Sequence, residues 1–150
     1  MNTAAILVRA PAAPDEPAWR DLWTGYNRFY RAEVPPGVTN ALWQKLLTPE
    51  AAITGLVAEH NGTIVGLAHI LFHASTWSHA PSCYLEDLFV TPTARGTGAA
   101  RALIEAAAET ARRHGADRLY WHTQDFNAPA RSLYDTLADR TSFIVYRKGL

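Results

Sequence analysis

The chain has 150 residues, is 48% hydrophobic, and carries 14 Lys and Arg against 14 Asp and Glu. This length and apolar content fit one α/β domain over residues 1–150 with a real core, and the zero net charge removes the general attraction on which nucleic-acid and membrane-surface binding rest. Cys83 is the only cysteine, which excludes an internal disulfide and a thiolate metal cluster. The apolar run near the start, AAILVRA, is too short for a signal peptide or a membrane span, so a cytoplasmic location is expected.

In chain order, AILVRA predicts a short strand stopped by Pro11 and Pro14. Residues 15–31 predict a helix, with acids at its start, Arg31 at its end, and Trp19, Trp23, Tyr26 and Tyr30 along one face. Gly25 weakens that helix. EVPPGV interrupts the chain, and TNALWQKLLTPE predicts a second helix capped by Thr39 or Asn40. The segment AITGLVAEHNGTIVGLAHILFHA reads as a hairpin turning at Asn61-Gly62. SCYLEDLFV is a fourth strand. Residues 98–114 form a helix closed by Gly115, RLYWHT is a fifth strand, APARSLYDTLA a last helix, and SFIVYRKG a final strand. The order β-α-α-β-β-β-α-β-α-β predicts a mixed, mostly antiparallel sheet of six to seven strands flanked by four helices.

Between the fourth strand and the third helix stands Arg95-Gly96-Thr97-Gly98-Ala99-Ala100-Arg101. A helix start exposes unpaired N–H groups and a partial positive charge. Glycines let an anion approach that backbone closely, and Arg95 adds a forked donor suited to phosphate oxygens. Two other phosphate loops fit poorly. A P-loop requires Gly-Lys-Ser/Thr where Ala99 and Ala100 stand, and a dinucleotide fingerprint requires a third glycine where Arg101 stands. Taken alone, the loop is either a diphosphate cradle or an ordinary strand-to-helix turn.

The stretch LEDLFVTPTARGTGAARALI resembles the cofactor-binding core of the GNAT superfamily of N-acetyltransferases, whose loop reads Arg/Gln-x-x-Gly-x-Gly/Ala. A second element of that family, an Asn and a later Tyr on the fourth helix, matches Asn127 and Tyr134 in NAPARSLYDTL. LEDLFV is similar to the polyamine and thialysine branch, and LYWHTQDFNAPARSLYD with FIVYRK to the histone and D-amino-acid branch. Ala100 stands where many members have glycine.

The resemblance implies acetyl-CoA as cosubstrate and no metal. It implies that the pyrophosphate rests on the loop formed by Arg95, Gly96, Thr97, Gly98, Ala99, Ala100 and Arg101. The pantetheine arm is then expected along Leu88, Phe89 and Val90 and beside Asn127 and Ala130. It also implies a small-molecule amine acceptor and a homodimer, through the final strand. A non-catalytic acyl-CoA-binding regulatory module is the alternative.

An amine with a reference pKa of ~10.4 is the free base in only about one molecule in 2,500 at pH 7, a handicap of roughly 4–5 kcal/mol. A base for that proton and a donor for the leaving thiolate are therefore useful. Strand alternation places Tyr84, Glu86 and Leu88 on one face and Leu85, Asp87 and Phe89 on the other. Two carboxylates within a strand are costly unless paired or used. Glu86 reads as the catalytic base, directly or through water, or as an ion-pairing residue; Asp87 reads as structural or as a cation contact. Tyr134 lies on a stripe with Ala130, Leu133 and Leu137, which makes it either a core aromatic or the catalytic acid. Asn127 is an N-cap candidate as well as a pantetheine contact. Tyr30 and Glu33 are candidates for contacting a cationic acceptor. His69 and His73 lack a third metal ligand at suitable spacing and read as satisfied or cleft-lining side chains, His122 could line the cofactor channel, and Cys83 reads as a buried thiol.

Overall fold

The computed structural model describes residues 5–150. The chain runs β1 (Leu7–Arg9), α1 (Glu16–Phe29), α2 (Pro36–Leu46), β2 (Ile53–His60), β3 (Thr63–His73), β4 (Ser82–Val90), α3 (Ala99–Arg113), β5 (Arg118–Tyr120) and α4 (Ala128–Tyr134), with single 3₁₀ turns before α1 and α3. The strands lie side by side in chain order; β1 to β4 are antiparallel, and β5 joins β4 in parallel after the α3 crossover. The β2–β3 turn is Asn61-Gly62, both at positive φ, as a two-residue hairpin loop requires. None of the described helices is long and apolar enough to cross a membrane.

The sheet separates two apolar layers. On one face, Leu103, Ile104, Ala107 and Ala111 of α3 pack against Leu56, Ala58, Ile70, Cys83 and Leu85. These positions repeat at i, i+1, i+4 and i+8, the single stripe of a helix lying on a sheet. On the other face, Trp19 and Trp23 of α1 meet Trp43 and Leu46 of α2 over Leu67. Trp19 and Trp43 are each only 1% exposed, so truncating either to Ala would cost about 3–5 kcal/mol. Gly25 costs α1 some helix propensity, but a Cβ there would meet the Phe89 ring at 3.0 Å. Its absence lets α1 lie directly on the end of β4.

The start of α1 is pinned to the sheet edge by charge. Arg9 grips Asp15 with its two Nη nitrogens at 2.6 and 2.9 Å and reaches Glu59 through Nε at 3.2 Å, while Asp15 also accepts the Ala12 N–H. The Arg9 hydrogen bonds hold the Asp15 carboxyl below the usual carboxylate range.

The sheet has five strands rather than the expected six to seven. SFIVYRKG forms no strand: Phe143, Ile144, Val145 and Tyr146 are 79, 74, 65 and 89% exposed. β-propensity is expressed only against a partner edge, and β5, three residues long, presents little edge within this chain.

Candidate active site

The two carboxylates of β4 sit at an irregularity. On β3, His69 opposes Asp87 and the next residue, Ile70, opposes Leu85, so Glu86 is the extra residue of a β-bulge. One inserted residue resets the alternation. Cys83 and Leu85 face the α3 layer, and beyond the bulge so do Leu88 and Val90. Phe89 packs into the tryptophan layer. Glu86 and Asp87 both line a groove on the α1–α2 side. The expected alternation, with Glu86 and Asp87 on opposite faces and Leu88 beside Glu86, is thereby corrected.

The groove encloses about 390 Å³ between α1, α2 and the sheet, with Trp23, Val38, Leu42 and Ile53 as walls and His69, Glu86 and Asp87 on its floor. His69 is 1% exposed and fully engaged. Trp19 Nε1 donates to its Nε2 at 3.1 Å, and its Nδ1 lies 2.9 Å from Asp87 Oδ2. An indole N–H can only donate, so Nε2 is the acceptor and the ring proton resides on Nδ1, directed at Asp87. Asp87 is thus held in place by a neutral imidazole. Burial, followed by the neighbouring Asp87 charge, raises the Glu86 carboxyl above its ordinary value. Burial and Asp87 likewise raise the phenols of Tyr26 and Tyr30. Tyr30 therefore sits within the field of Asp87. Glu33 is exposed on the α1–α2 connection and does not line the groove.

On the far edge of β4, pairing with β5 covers only Ser82, Cys83 and Tyr84. Past Tyr84 the two strands part, and residues 85–90 present a backbone edge that β5 does not cover. The segment leaving β5 carries Thr123, whose Oγ1 is buried without a hydrogen-bond partner. His122 Nδ1 lies 3.2 Å from the Tyr84 hydroxyl, beside that gap. Tyr134 packs edge-on against Trp121 with ring centroids 5.4 Å apart. Burial first, and Tyr30 second, push its phenol up to about 12. Asn127 does stand at the N-cap position of α4, but its side chain does not cap; its carbonyl accepts the Arg131 N–H at 3.0 Å. Ala130 is half-buried one turn along.

At the start of α3, Gly96 and Gly98 have φ of 83° and 88°, with no atom within 4 Å of where a Cβ would lie. The first helical hydrogen bond is Ala102 N–H to the Gly98 carbonyl at 3.0 Å. The amides of Gly96, Gly98, Ala99, Ala100 and Arg101 have no acceptor among the described residues. Thr97 is tied down, its amide and hydroxyl both donating to the Ala94 carbonyl. Arg95 is exposed beside this cluster, and Arg101 reaches Thr136 at 3.0 Å, joining the start of α3 to the end of α4. Free amides over open space, an uncovered strand edge and an orphaned buried hydroxyl are a donor set that fits a diphosphate followed by an amide-bearing arm.

Cys83 is fully buried, and burial pushes its thiol up to about 11, which suits a packing role. Among the described residues no three His, Cys, Asp or Glu side chains gather as metal ligands would. Sequence reasoning missed three features of the site: the Trp19–His69–Asp87 chain, the bulge, and the placement of Lys45 on the groove. The tryptophan and the histidine are 50 positions apart, and no local pattern links them.

The architecture is a sheet splayed beside a glycine loop that opens a helix. The family model described as the acetyltransferase (GNAT) family matches residues 18–138. The D-amino-acid N-acetyltransferase HPA3 of Saccharomyces cerevisiae is 33% identical, over 96% of this chain and 91% of its own. A thialysine N-epsilon-acetyltransferase of Caenorhabditis elegans is 36% identical over 57% of this chain and 53% of its own. Among solved structures, an aminoglycoside N-acetyltransferase in complex with CoA superposes with a TM-score of 0.75, covering 98% of this chain and 97% of that one at 21% identity. The chain belongs to the GNAT family of acetyltransferases, and it is an acetyl-CoA-dependent N-acetyltransferase.

Proposed function

We propose that the protein transfers an acetyl group from acetyl-CoA to a primary amine of a small-molecule or lysine-like acceptor, by direct attack in a ternary complex. The observation that carries this reading is the placement of Glu86 and Asp87 together on the groove floor, beside the point where β4 and β5 part. The cosubstrate supplies the activated acetyl group. Its diphosphate is held by the loop from Arg95 to Arg101, through the amides of Gly96, Gly98, Ala99, Ala100 and Arg101 with Thr97 as the fixed strut. The arm lies along Leu88, Phe89 and Val90 and beside Asn127 and Ala130.

Asp87, braced by His69, receives the acceptor cation, with the Trp23 ring on the groove wall and Tyr30, outside the groove lining but within the field of Asp87, as a further aromatic contact. Glu33, on the exposed connection, adds negative potential at the entrance. Glu86 takes the ammonium proton. Its raised pKa brings it nearer to the amine and makes it a better base than an ordinary carboxylate. A backbone N–H near residues 88–90 polarises the thioester carbonyl. Tyr134 donates to the departing sulfur. Against a thiol reference of ~8.5, complete transfer from a phenol near 12 is uphill by ~5 kcal/mol, so Tyr134 acts first as a hydrogen-bond donor to the thiolate. The D-amino-acid and thialysine enzymes named above support a small amine as acceptor. The exposed apolar segment from Phe143 to Tyr146 supports a homodimer in which that segment finds its strand partner on a second copy.

A panel of amines incubated with acetyl-CoA and the purified protein, read by thiol release and product mass, tests the reading. Acetylation of at least one small amine is expected. Tight CoA binding with no acetylated product would overturn it in favour of a non-catalytic acyl-CoA-binding module.

A further inference from the structure

The wall of the groove contributed by α2 is one helical stripe: Val38, Ala41, Leu42 and Lys45, at i, i+3, i+4 and i+7. Its first three members are apolar. The fourth is a cation, and no carboxylate among the described residues pairs with it. Trp43, on the far side of α2, and Leu46, which flanks the stripe, are buried in the core. Lys45 therefore stands on the groove side of the helix, with a flexible four-carbon stem and three donors. The Glu86 and Asp87 carboxylates line the same groove from the sheet. His69 adds no charge there, because Trp19 occupies its Nε2. The groove is thus charged in two zones, anionic on the strand floor and cationic on the α2 wall, with Trp23, Leu42 and Ile53 between. Its volume of about 390 Å³ lies at the small end of ligand pockets, which span ~300–1,000 Å³.

Resting on the reading above, we infer that the acceptor is a zwitterion of amino-acid type: its ammonium faces Asp87 and Glu86, its carboxylate is read by Lys45, and an apolar side chain lies along Leu42 and Ile53. Lys45 is a specificity residue in this scheme. It contacts the part of the acceptor that does not react, and it discriminates amino acids from plain amines and diamines by charge.

The test compares matched acceptors with the full chain and acetyl-CoA: phenylalanine of each hand, phenylalanine amide and phenethylamine, with lysine and cadaverine as a second pair. For at least one hand of phenylalanine, kcat/KM should exceed that of its amide and of phenethylamine by about tenfold, the discrimination that one charge-assisted hydrogen bond from a partly exposed lysine supplies. In Lys45→Met the amino acid and the amine should converge, through a rise in KM for the amino acid. Lys45→Arg should keep the preference, and Lys45→Glu should reverse it towards cadaverine. Lys45 is exposed, so these variants should fold, and melting curves check that they do. Equal use of amino acids and amines by the parent protein, or an amino-acid preference that Lys45→Met leaves intact, would overturn the inference while the acetyltransferase reading stands. Acetylation of no acceptor at all overturns both.

Discussion

Glu86 and Asp87 are consecutive residues of one β-strand whose side chains line the same groove, because a bulge at Glu86 removes the alternation that would otherwise separate them. Two like charges so placed repel, and neither can leave. Asp87 is fixed by His69, whose Nδ1 lies 2.9 Å from Oδ2, so Glu86, whose pKa burial already raises, is raised further by the Asp87 charge. In the proposed reaction that rise is useful, since a carboxylate strained by its neighbour is a stronger base and a stronger attractor of cations.

Replacing Glu86 by Gln should therefore slow turnover by about 10²–10³-fold and raise stability at neutral pH. The sign follows from the raised folded-state pKa. Such a group favours the fold fully below the ordinary carboxylate value, and that contribution is lost as pH rises through the folded value. Melting temperatures of parent and Glu86→Gln should nearly coincide near pH 4 and separate, variant higher, at pH 7.5. A variant that melts lower at pH 7.5 would contradict this account.

His69→Ala would leave the Trp19 indole N–H and the Asp87 carboxylate without their buried partner and open a cavity beside the Trp19 and Trp23 rings. Urea unfolding should show a loss of about 2–4 kcal/mol. His69→Gln, which can accept from Trp19 and donate to Asp87, should recover part of that loss, and a KM for acceptor closer to the parent's.

Gly98 can be tested apart from crowding, because a Cβ there meets no atom within 4 Å while φ is 88°. Gly98→Ala should cost about 1–2 kcal/mol from backbone strain alone. Asn tolerates the left-handed region better, so Gly98→Asn should be the more stable of the two. Calorimetric titration with CoA should show weakened binding in both, since either side chain occupies the approach of the diphosphate. Full CoA affinity in Gly98→Asn would remove the loop from the binding site.

Tyr134→Phe keeps the ring against Trp121 and removes only the hydroxyl. Stability should change little, whereas kcat should fall by about 10²–10³-fold with both KM values within a few-fold of the parent. With the phenol pushed up to about 12, no loss of rate below pH 11 should trace to Tyr134 ionising. An alkaline limb near pH 9 that vanishes in Tyr134→Phe would refute that assignment.

Deleting residues 141–150 removes Phe143, Ile144, Val145 and Tyr146, which touch little of their own chain. Sedimentation velocity should show a dimeric parent and a monomeric truncation with the far-ultraviolet dichroism of a folded protein. A monomeric parent would defeat the dimer proposal.

Local chemistry was enough to read most of the architecture. Asn61-Gly62 between β-branched runs yields a hairpin whatever surrounds it, the α3 stripe of Leu103, Ile104, Ala107 and Ala111 repeats with a helix period, and Gly96 and Gly98 mark left-handed backbone ahead of that helix. These are near-neighbour effects, set by torsions and by spacings of a few residues. The direction of Asp87 was not legible, because strand alternation predicts a side and only pairing with β3 reveals the bulge that reverses it. The His69 bridge to Trp19 was equally hidden, since it joins α1 to β3 across 50 positions. SFIVYRKG has the composition of a strand yet forms none in this chain, because a strand exists only where another edge accepts its hydrogen bonds. Contacts between distant segments, which no short window contains, turn two adjacent acids and a lysine on α2 into the floor and wall of one groove.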